Sequence, residues 1–498
     1  MTYGAPVGPT PTRRALLLAA AGSTLLGACG GPELDTARER SQAPPTDPEE
    51  HTIFDLTLEI VDRFRPVELV APGFVAHRAG ATSTSGLHRH DSGPAAPYAA
   101  VVLDVASVPA DGSVAAGLAT GDGDHVLVRW SARSGRLSLE VRTGGRTRVL
   151  RHRVVPQAGG FGLAFAVCEN QVTALVDDGE GWQPVLTERT KVSELVDLRR
   201  EDVLERYAYA WGGRDVELAS VRAGLFGMTG LRDPHLVQHA DGSPYVVDGR
   251  VYLTWTCAGL GFFQQAHWSV WSFDAAEPRG MRLESQLFTR RDGLLLGDHA
   301  GQLVRDGDRW LVLTSSWGDF SPGSIHVRHT SSTDDLLSGV HVLATEPAPL
   351  PTDDGSWDPA LSRIDGRWRL GFVESPSQDP FDFHPALAQT SSRDWTEGLE
   401  KVAAADDLHQ CEGPVIATVD GTGYLLASDK DNQNYPVFDL SGRRLGRLDA
   451  PYPTNIPHPQ LVPDPAGGWL MVTFDGAQWH EDVMGYGGHG DVVVMHST

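Results

Sequence analysis

Ionisable residues open five similar segments in the second half of the sequence. The segments begin with Asp233-Pro234, Asp298-His299, Asp358-Pro359, Glu412-Gly413 and His458-Pro459. One Asp before Pro is an ordinary turn or strand-start residue, but a carboxylate at the start of four of the five segments is more than folding requires. Clustered carboxylates shift one another's pKa values, so an acid and a base can coexist near neutral pH. The pattern predicts one pocket in which protons are transferred.

The elements that position these residues follow a repeat. Each segment continues with an apolar strand, a turn and an aromatic-containing strand, and the segment starts are about 46 to 65 residues apart, the size of a four-stranded propeller blade with its loops. The turns, strong hairpin signals where they read Asp-Gly, are Asp248-Gly249, Asp306-Gly307, Asp365-Gly366, Asp420-Gly421 and, more loosely, Gly467-Gly468. The sequence therefore predicts an all-β fold with a five-bladed β-propeller over residues 227–498, whose innermost strands bring the five starting residues to a central channel.

Residues 52–226 are predicted to form a β-sandwich. Segments such as His125–Trp130 and Arg136–Val141 alternate apolar and polar residues with period two, which is typical of half-buried strands, and a short helical stretch is expected near Val192 to Arg206. In its succession of short alternating strands the region resembles concanavalin-like jelly-roll domains. This resemblance implies carbohydrate binding. A sandwich that only supports its neighbour is the alternative. The run His88-Arg89-His90-Asp91 lies among Ser, Gly and Pro and is interpreted as a solvated loop rather than a metal site.

The start of the chain predicts export. Arg13-Arg14 precede a short apolar run, Ala15 to Ala21, and then Leu26-Gly27-Ala28-Cys29. The run is too short to span a bilayer comfortably, and twin-arginine signals are read by a bacterial export system. Residues 1–29 resemble a lipoprotein signal peptide in which Cys29 is acylated, and residues 30–51 are predicted to be a Pro-rich, disordered tether. We expect a monomer that is exported and held to the cell membrane by its lipid alone, or extracellular. An ordinary cleaved signal is the alternative.

Composition limits the partners. The net charge of −24 supplies no basic stripe for phosphates, which argues against nucleic acid. After Cys29 the sequence contains only Cys168, Cys257 and Cys411, so neither a disulfide framework nor a CxxC zinc site is predicted.

The propeller segments resemble a known family. The motifs Arg232-Asp233-Pro234, Trp357-Asp358-Pro359 and Glu412-Gly413-Pro414, followed by His458, are similar to the five-bladed glycoside hydrolases of family 43 and its relatives, including families 62, 32, 68, 117 and 130, over about 268 residues. The resemblance implies Asp233 as general base, Glu412 as general acid, and Asp358 as the carboxylate that keeps Glu412 protonated and orients the sugar. It also implies that His458 lies in the channel near a structural calcium ion, bound directly or through water. A His458 that only hydrogen-bonds substrate or a carboxylate is the alternative. The sandwich precedes the propeller and Asp298-His299 has no Pro, and both are departures that leave the specificity open.

These residues predict an exported hydrolase that cleaves furanosidic or xylosidic linkages with inversion, which needs two carboxyls roughly 6.5–9.5 Å apart. The predicted substrate-binding residues are Asp298, His299, Trp317, Trp357 and His458. Trp255 and Trp479 are further candidates for stacking on sugar rings. One alternative is a surface glycan-binding lipoprotein without activity. Another is a transferase or phosphorolytic enzyme, which would need a cationic phosphate clamp where only Arg232 lies beside a segment start.

Overall fold

The computed structural model describes residues 52–464, 467–483 and 489–497. The predicted signal peptide, Cys29 and the tether lie outside these residues. Strands dominate the described chain, as the predicted all-β fold requires, and no helix in it is long and apolar enough to cross a membrane. The helices are short: the α-helices Thr190–Ser193 and Glu201–Leu204, in the stretch where helix was expected, and the 3₁₀ turns Ile53–Asp55, Phe263–Gln265 and Trp317–Asp319.

Two antiparallel sheets form the sandwich, with apolar side chains such as Leu103, Leu118 and Phe165 completely buried between them. The first sheet contains, in spatial order, Gln183–Glu188, Gln171–Asp177, Phe161–Cys168, Tyr98–Ser107, Val216–Met228 and Glu68–Ala79, with Thr82–Thr84 also paired to Val216–Met228. The second contains Leu87–Arg89, Tyr207–Arg214, Ser113–Thr120, His125–Ser131, Arg136–Thr143 and Arg146–Val154. Leu87–Arg89 is an exposed edge strand, so part of the run interpreted as a loop is extended.

Five further sheets form the blades of the predicted propeller. The strands of each blade are given in spatial order, from the innermost strand outward. Blade 1 contains Leu231–Leu236, Arg250–Cys257, His267–Asp274, Glu277–Arg291 and Leu294–Leu296, with Val246–Val247 and Gly339–Ala344 paired to it. Blade 2 contains His299–Asp306, Arg309–Ser315, Val327–Ser332 and Glu346–Pro347, with Gln238–His239 at its inner edge. Blade 3 contains Gly355–Ile364, Arg367–Gln378, Phe381–Thr390 and Glu400–Ala404. Blade 4 contains Cys411–Val419, Thr422–Asp429, Pro436–Asp439 and Arg444–Arg447. Blade 5 contains Gln460–Pro463, Trp469–Gln478, His489–Ser497 and Leu58–Phe64.

The last strand of blade 5 comes from the start of the described chain. Leu58–Phe64, within the range predicted for the sandwich, pairs antiparallel with His489–Ser497. The guanidinium of Arg63 lies 2.9 Å from carboxylate oxygens of both Asp475 and Asp491 and fixes this edge. The ring is therefore closed by a strand that precedes the sandwich in sequence. Local alternation identifies a strand but not its distant partner.

The four predicted Asp-Gly hairpins are confirmed; in blade 2 the two-residue turn is Gly307-Asp308, because Asp306 itself pairs with Arg309. The looser Gly467-Gly468 turn also connects two paired strands, with φ angles of 103° and 86°. Asp248-Gly249, Asp365-Gly366 and Asp420-Gly421 each connect directly paired residues and adopt φ angles of 47° to 81°. This geometry suits the right-handed twist of the flanking strands, and Asp and Gly tolerate it.

One face of the first sandwich sheet packs against blade 1. Tyr98, Ala166 and Phe226 of the sandwich form a buried cluster with Leu260 and Phe288 of the propeller. The sandwich is thus in direct contact with the blade that carries Asp233.

Candidate active site

A bulge interrupts the innermost strand of blades 1 to 4 at the same place. The first bulged residue adopts a left-handed backbone in each case: Asp233 (φ 50°), Ala300 (φ 51°), Asp358 (φ 50°) and Gly413 (φ 64°). Such bulges turn side chains away from the regular sheet faces. Pro follows in three of the four blades, which is tolerated because the bulge needs no ladder N–H at that position.

This geometry corrects the predicted alignment of the segment starts. The structural counterpart of Asp233 and Asp358 is Ala300 in blade 2, not Asp298, and Gly413 in blade 4, not Glu412. The residues that directly precede the bulges occupy equivalent positions in blades 1 to 4. They are Arg232, His299, Trp357 and Glu412. The sequence repeat could not place the bulges, because they depend on pairing with the next strand.

A cavity of about 240 Å³ in the propeller brings the predicted acid–base residues together. Asp233, Asp358 and Glu412 line it with His458, Trp317 and Trp357. The remaining lining residues are Arg232, Phe262, Phe263, Phe381, Phe383, Gln410, Lys430, Asn455 and Ile456. Side chains from all five segments or their following loops therefore converge on one space.

His458 lies between two of the carboxyls. Its Nε2 is 3.7 Å from Oδ1 of Asp233 and 3.4 Å from Oδ2 of Asp358. Burial lowers the pKa of His458 to about 4, against the raising effect of the Asp233 charge. The imidazole is thus neutral at neutral pH and can hydrogen-bond without adding a positive charge.

Glu412 has the environment of a general acid. Its Oε2 accepts a hydrogen bond of 3.1 Å from Nε1 of Trp357. Burial first, and then the charge of Asp233, raise the pKa of Glu412 to about 7, while Arg232 and Lys430 act in the opposite direction. Glu412 in turn raises the pKa of Asp358, so the two carboxyls interact, and burial and Asp233 act on Glu412 in addition to the expected Asp358. Near pH 7 a large fraction of Glu412 can carry a proton.

Asp358 supports the backbone of the neighbouring blade. Its Oδ2 accepts a hydrogen bond of 3.2 Å from the N–H of Gly413, and its own N–H donates to Oγ of Ser315 at 2.9 Å. Burial, followed by the charges of Glu412 and Asp233, raises the pKa of Asp358 well above its usual range. Its neutral form is therefore favoured.

Asp298, predicted to bind substrate, is not part of the cavity lining. It is completely buried, and its carboxylate accepts hydrogen bonds from Arg291 (2.6 and 2.9 Å), Thr289 (2.8 Å) and the N–H of Gly318 (2.9 Å). An acidic residue at a segment start suggests a ligand for substrate, but this carboxylate balances a buried arginine instead.

His299, the other predicted ligand of blade 2, lies behind the cavity wall. Its ring stacks on Trp317 with an interplanar angle of 14°, and its Nε2 is 3.1 Å from the carbonyl oxygen of Phe263. It touches the wall rather than the open space.

Aromatic side chains form one wall of the cavity. Trp317 and Trp357 are at the predicted place, with ring centroids 5.4 Å apart. Four phenylalanines of the wall were not predicted, and their only signals in the sequence are an adjacent pair, Phe262 and Phe263, and an alternating pair, Phe381 and Phe383. Of the other tryptophan candidates, Trp255 is buried in the core of blades 1 and 5, and Trp479 packs beside the sandwich.

The donors beside His458 fit calcium poorly. Calcium prefers six to eight oxygen ligands. Around His458 the described residues supply two carboxyls, fewer oxygen ligands than calcium prefers, and no described group of three or more His, Cys, Asp and Glu side chains is arranged to hold a metal. The residues present do not form the expected calcium site.

A wider groove of about 790 Å³ lies on the sandwich beside Trp182. Its acidic residues Asp104 and Asp178 are exposed to solvent. It could offer contacts to a sugar, but it lacks the buried carboxyls that a proton-transfer site requires.

Comparison with known proteins gives distant similarities. No protein-family profile and no curated protein matches the chain. Similar solved structures include a family 117 glycoside hydrolase from the marine bacterium Zobellia galactanivorans (11% identity, 54% of this chain, 84% of that chain, TM-score 0.38). They also include a GH43_1 enzyme from Xanthomonas citri complexed with xylose (16% identity, 54% of this chain, 87% of that chain, TM-score 0.39). A galectin from Caenorhabditis elegans matches 30% of this chain and 95% of its own at 13% identity, with a TM-score of 0.23.

Proposed function

We propose that the protein is a glycoside hydrolase that cleaves furanosidic or xylosidic linkages with inversion of configuration. The observation that carries the proposal is the cavity in which Asp233, Asp358 and Glu412 meet beside an aromatic wall. The pKa of about 7 at Glu412 is the value that acid catalysis near neutral pH favours.

Glu412 is the general acid of this mechanism. It gives its proton to the glycosidic oxygen as the bond to the anomeric carbon breaks. The carboxylate that forms keeps the hydrogen bond from Trp357, whose N–H stabilises the charge left on Glu412. Lys430, which lines the same cavity, adds favourable charge at this stage.

Asp233 is the general base. It removes a proton from a water molecule that attacks the anomeric carbon from the face opposite Glu412. Nε of Arg232 lies 3.9 Å from Oδ1 of Asp233, so a cation is paired with the side chain that acts as the base. Neutral His458 separates this carboxylate from Asp358.

Asp358 and the aromatic wall position the sugar. A neutral Asp358 can donate a hydrogen bond to a ring hydroxyl through one oxygen while Oδ2 holds Gly413. The apolar face of a furanose or xylose can pack on Trp317 and Phe263, whose rings are 4.5 Å apart. Binding in this geometry would bring the bond to be cleaved between acid and base.

The test is a screen of aryl furanosides and xylosides together with a panel of polysaccharides. We expect hydrolysis of at least one, and proton NMR of the first product should show the inverted anomer. Release that requires added phosphate and yields a sugar phosphate would indicate phosphorolysis instead, with Arg232 and Lys430 as the cavity cations. Binding by calorimetry without any cleavage would favour the non-catalytic glycan-binding alternative.

We further propose that the enzyme is exported as a monomeric lipoprotein acylated at Cys29. The support is the twin-arginine pair Arg13-Arg14 and the residues Leu26 to Cys29 in the expected order. Metabolic labelling with a fatty acid should mark the full chain, and Cys29→Ser should abolish the label. Equal fatty-acid labelling of the wild type and Cys29→Ser would contradict the proposal.

A further inference from the structure

One loop of blade 1 supplies part of the aromatic wall and rests on the sandwich. Residues 258–266 connect two strands of the blade and carry Phe262 and Phe263, which line the cavity. The Tyr98 hydroxyl of the sandwich donates to the carbonyl oxygens of Gln264 (2.8 Å) and Ala266 (3.1 Å). The loop is therefore tied at its end to a side chain from the other domain.

A second sandwich residue holds the start of the loop. Nε2 of Gln171 donates a hydrogen bond to the carbonyl oxygen of Leu260. Tyr98 is completely buried and Gln171 is 6% exposed, so water cannot readily replace either partner. The two hydrogen-bonded side chains thus secure the loop on both sides of Phe262 and Phe263.

The fit between the domains leaves no room for side chains at two glycines, Gly261 and Gly297. A Cβ at Gly261 would lie 2.5 Å from Nε2 of Gln171, and one at Gly297 would lie 2.2 Å from the Tyr98 hydroxyl oxygen. A Cβ at Gly259 would lie 3.3 Å from Sγ of Cys168, also in the sandwich. At Gly259 the closer atom is the carbonyl oxygen of Gln265 in the loop itself, at 1.8 Å, so the tight fit against the sandwich concerns Gly261 and Gly297.

Contacts continue from this loop to the acid. The ring of Phe263 is 4.5 Å from that of Trp317, which is 5.4 Å from Trp357, and Trp357 donates to Glu412. In addition, Nε2 of the Gln264 side chain donates a hydrogen bond of 2.9 Å to the carbonyl oxygen of Phe320. A displacement of the loop would therefore move the aromatic side chains of the wall more than the carboxyls.

We propose that the sandwich is a positioning domain, in which Tyr98 and Gln171 hold the 258–266 loop so that Phe262 and Phe263 are fixed before the sugar binds. A preformed wall binds more tightly, since its ordering cost is met during folding. The proposal rests on the proposed function only for the nature of the ligand. Under this proposal the sandwich supports the propeller and does not itself bind the sugar. Tyr98 and Gln171 then determine sugar affinity through the position of the loop.

The test compares Tyr98→Phe and Gln171→Ala with Tyr209→Phe as the matched control. Tyr209 is a buried tyrosine in the core between the two sandwich sheets, so the control removes the same hydroxyl group away from the propeller. Hydrogen exchange of the 258–266 amides, KM, kcat and Tm are measured for each variant. We expect faster exchange in this loop and a KM raised about three- to tenfold for each test variant, with kcat within about twofold of wild type.

Two results would overturn the inference. The first is loop exchange in Tyr98→Phe and Gln171→Ala that matches the Tyr209→Phe control. The second is a KM unchanged in both, with only Tm lowered, since this would leave the sandwich a purely stabilising role. Should the wild type cleave no glycoside, the exchange measurement still decides the positioning role while the proposed function alone fails.

Discussion

Trp357 and Glu412 occupy equivalent positions in neighbouring blades, each just before a left-handed bulge residue, and their side chains share a hydrogen bond of 3.1 Å. The bulges turn both side chains into the cavity that Asp233 also lines. Backbone geometry repeated from blade to blade thus places an indole donor against the carboxyl with a pKa near 7.

Replacing either proposed proton-transfer residue should separate their roles. Glu412→Gln cannot protonate a leaving group, so we expect alkyl glycosides to lose about 10²–10⁴-fold in kcat, and aryl glycosides with good leaving groups much less. Asp233→Asn should abolish both reactions, because no base activates the water. Glu400→Gln, at an exposed position of blade 3, is the control and should retain full activity. Similar losses on both substrates for Glu412→Gln would contradict its role as the acid.

The pH dependence should report the charge around Glu412. Activity requires its protonated form, so kcat/KM should decline as pH rises above about 7. The Lys430 charge favours the ionised form, and Lys430→Met should therefore raise this pKa and extend activity to higher pH. The measurement is the alkaline limb of the pH–rate profile, with Lys401→Met, which removes a lysine on blade 3 outside the cavity, as control. A limb that stays in place, or moves to lower pH, would show that Glu412 does not set it.

Gly413 should be irreplaceable. Its counterparts Asp233, Ala300 and Asp358 carry side chains at a similar φ, but a Cβ at Gly413 would lie 2.2 Å from Cδ2 of His458. We expect Gly413→Ala to displace His458 and the adjacent Glu412, with a loss of about 10²-fold in kcat/KM. Gly421→Ala is the control, since Gly421 has a φ of 81° but no atom within 4 Å of the added Cβ. This control should cost about 1–2 kcal/mol of stability and no activity. Equal activity in the two variants would show that close packing against His458 is not required.

Asp298 should contribute to the stability of the fold and not to sugar binding. Asp298→Asn removes the most buried of three carboxylates that pair with Arg291, which is 4% exposed, while Asp319 and Asp292 still offset its charge. We therefore expect a loss of about 1.5–3 kcal/mol, the worth of charge-assisted hydrogen bonds. Asp292→Asn is the control, because Asp292 pairs with the same arginine at 3.3 Å but is 66% exposed, so the loss should be below about 1 kcal/mol. Urea denaturation measures both. An unchanged unfolding free energy in Asp298→Asn, with weaker sugar binding, would restore the substrate-binding interpretation.

Local residue patterns predict the strand segments, the Asp-Gly hairpins and the residue types that could transfer protons. Hairpin turns depend on a few adjacent residues, so Asp365-Gly366 can be read directly. The recurrence of these units predicted five blades, and the resemblance to a family singled out Asp233, Asp358 and Glu412 before their positions were known.

Long-range pairing and packing determine which residues share the cavity and how the ring closes. The bulges that make Ala300 the counterpart of Asp233 arise from pairing with the next strand, so the sequence repeat placed Asp298 there instead. Leu58–Phe64 joins blade 5 through a partner more than 400 residues away, and Phe262 enters the wall through a loop held by Tyr98. Each of these features is set by long-range hydrogen bonds and packing, on which local residue patterns carry no information.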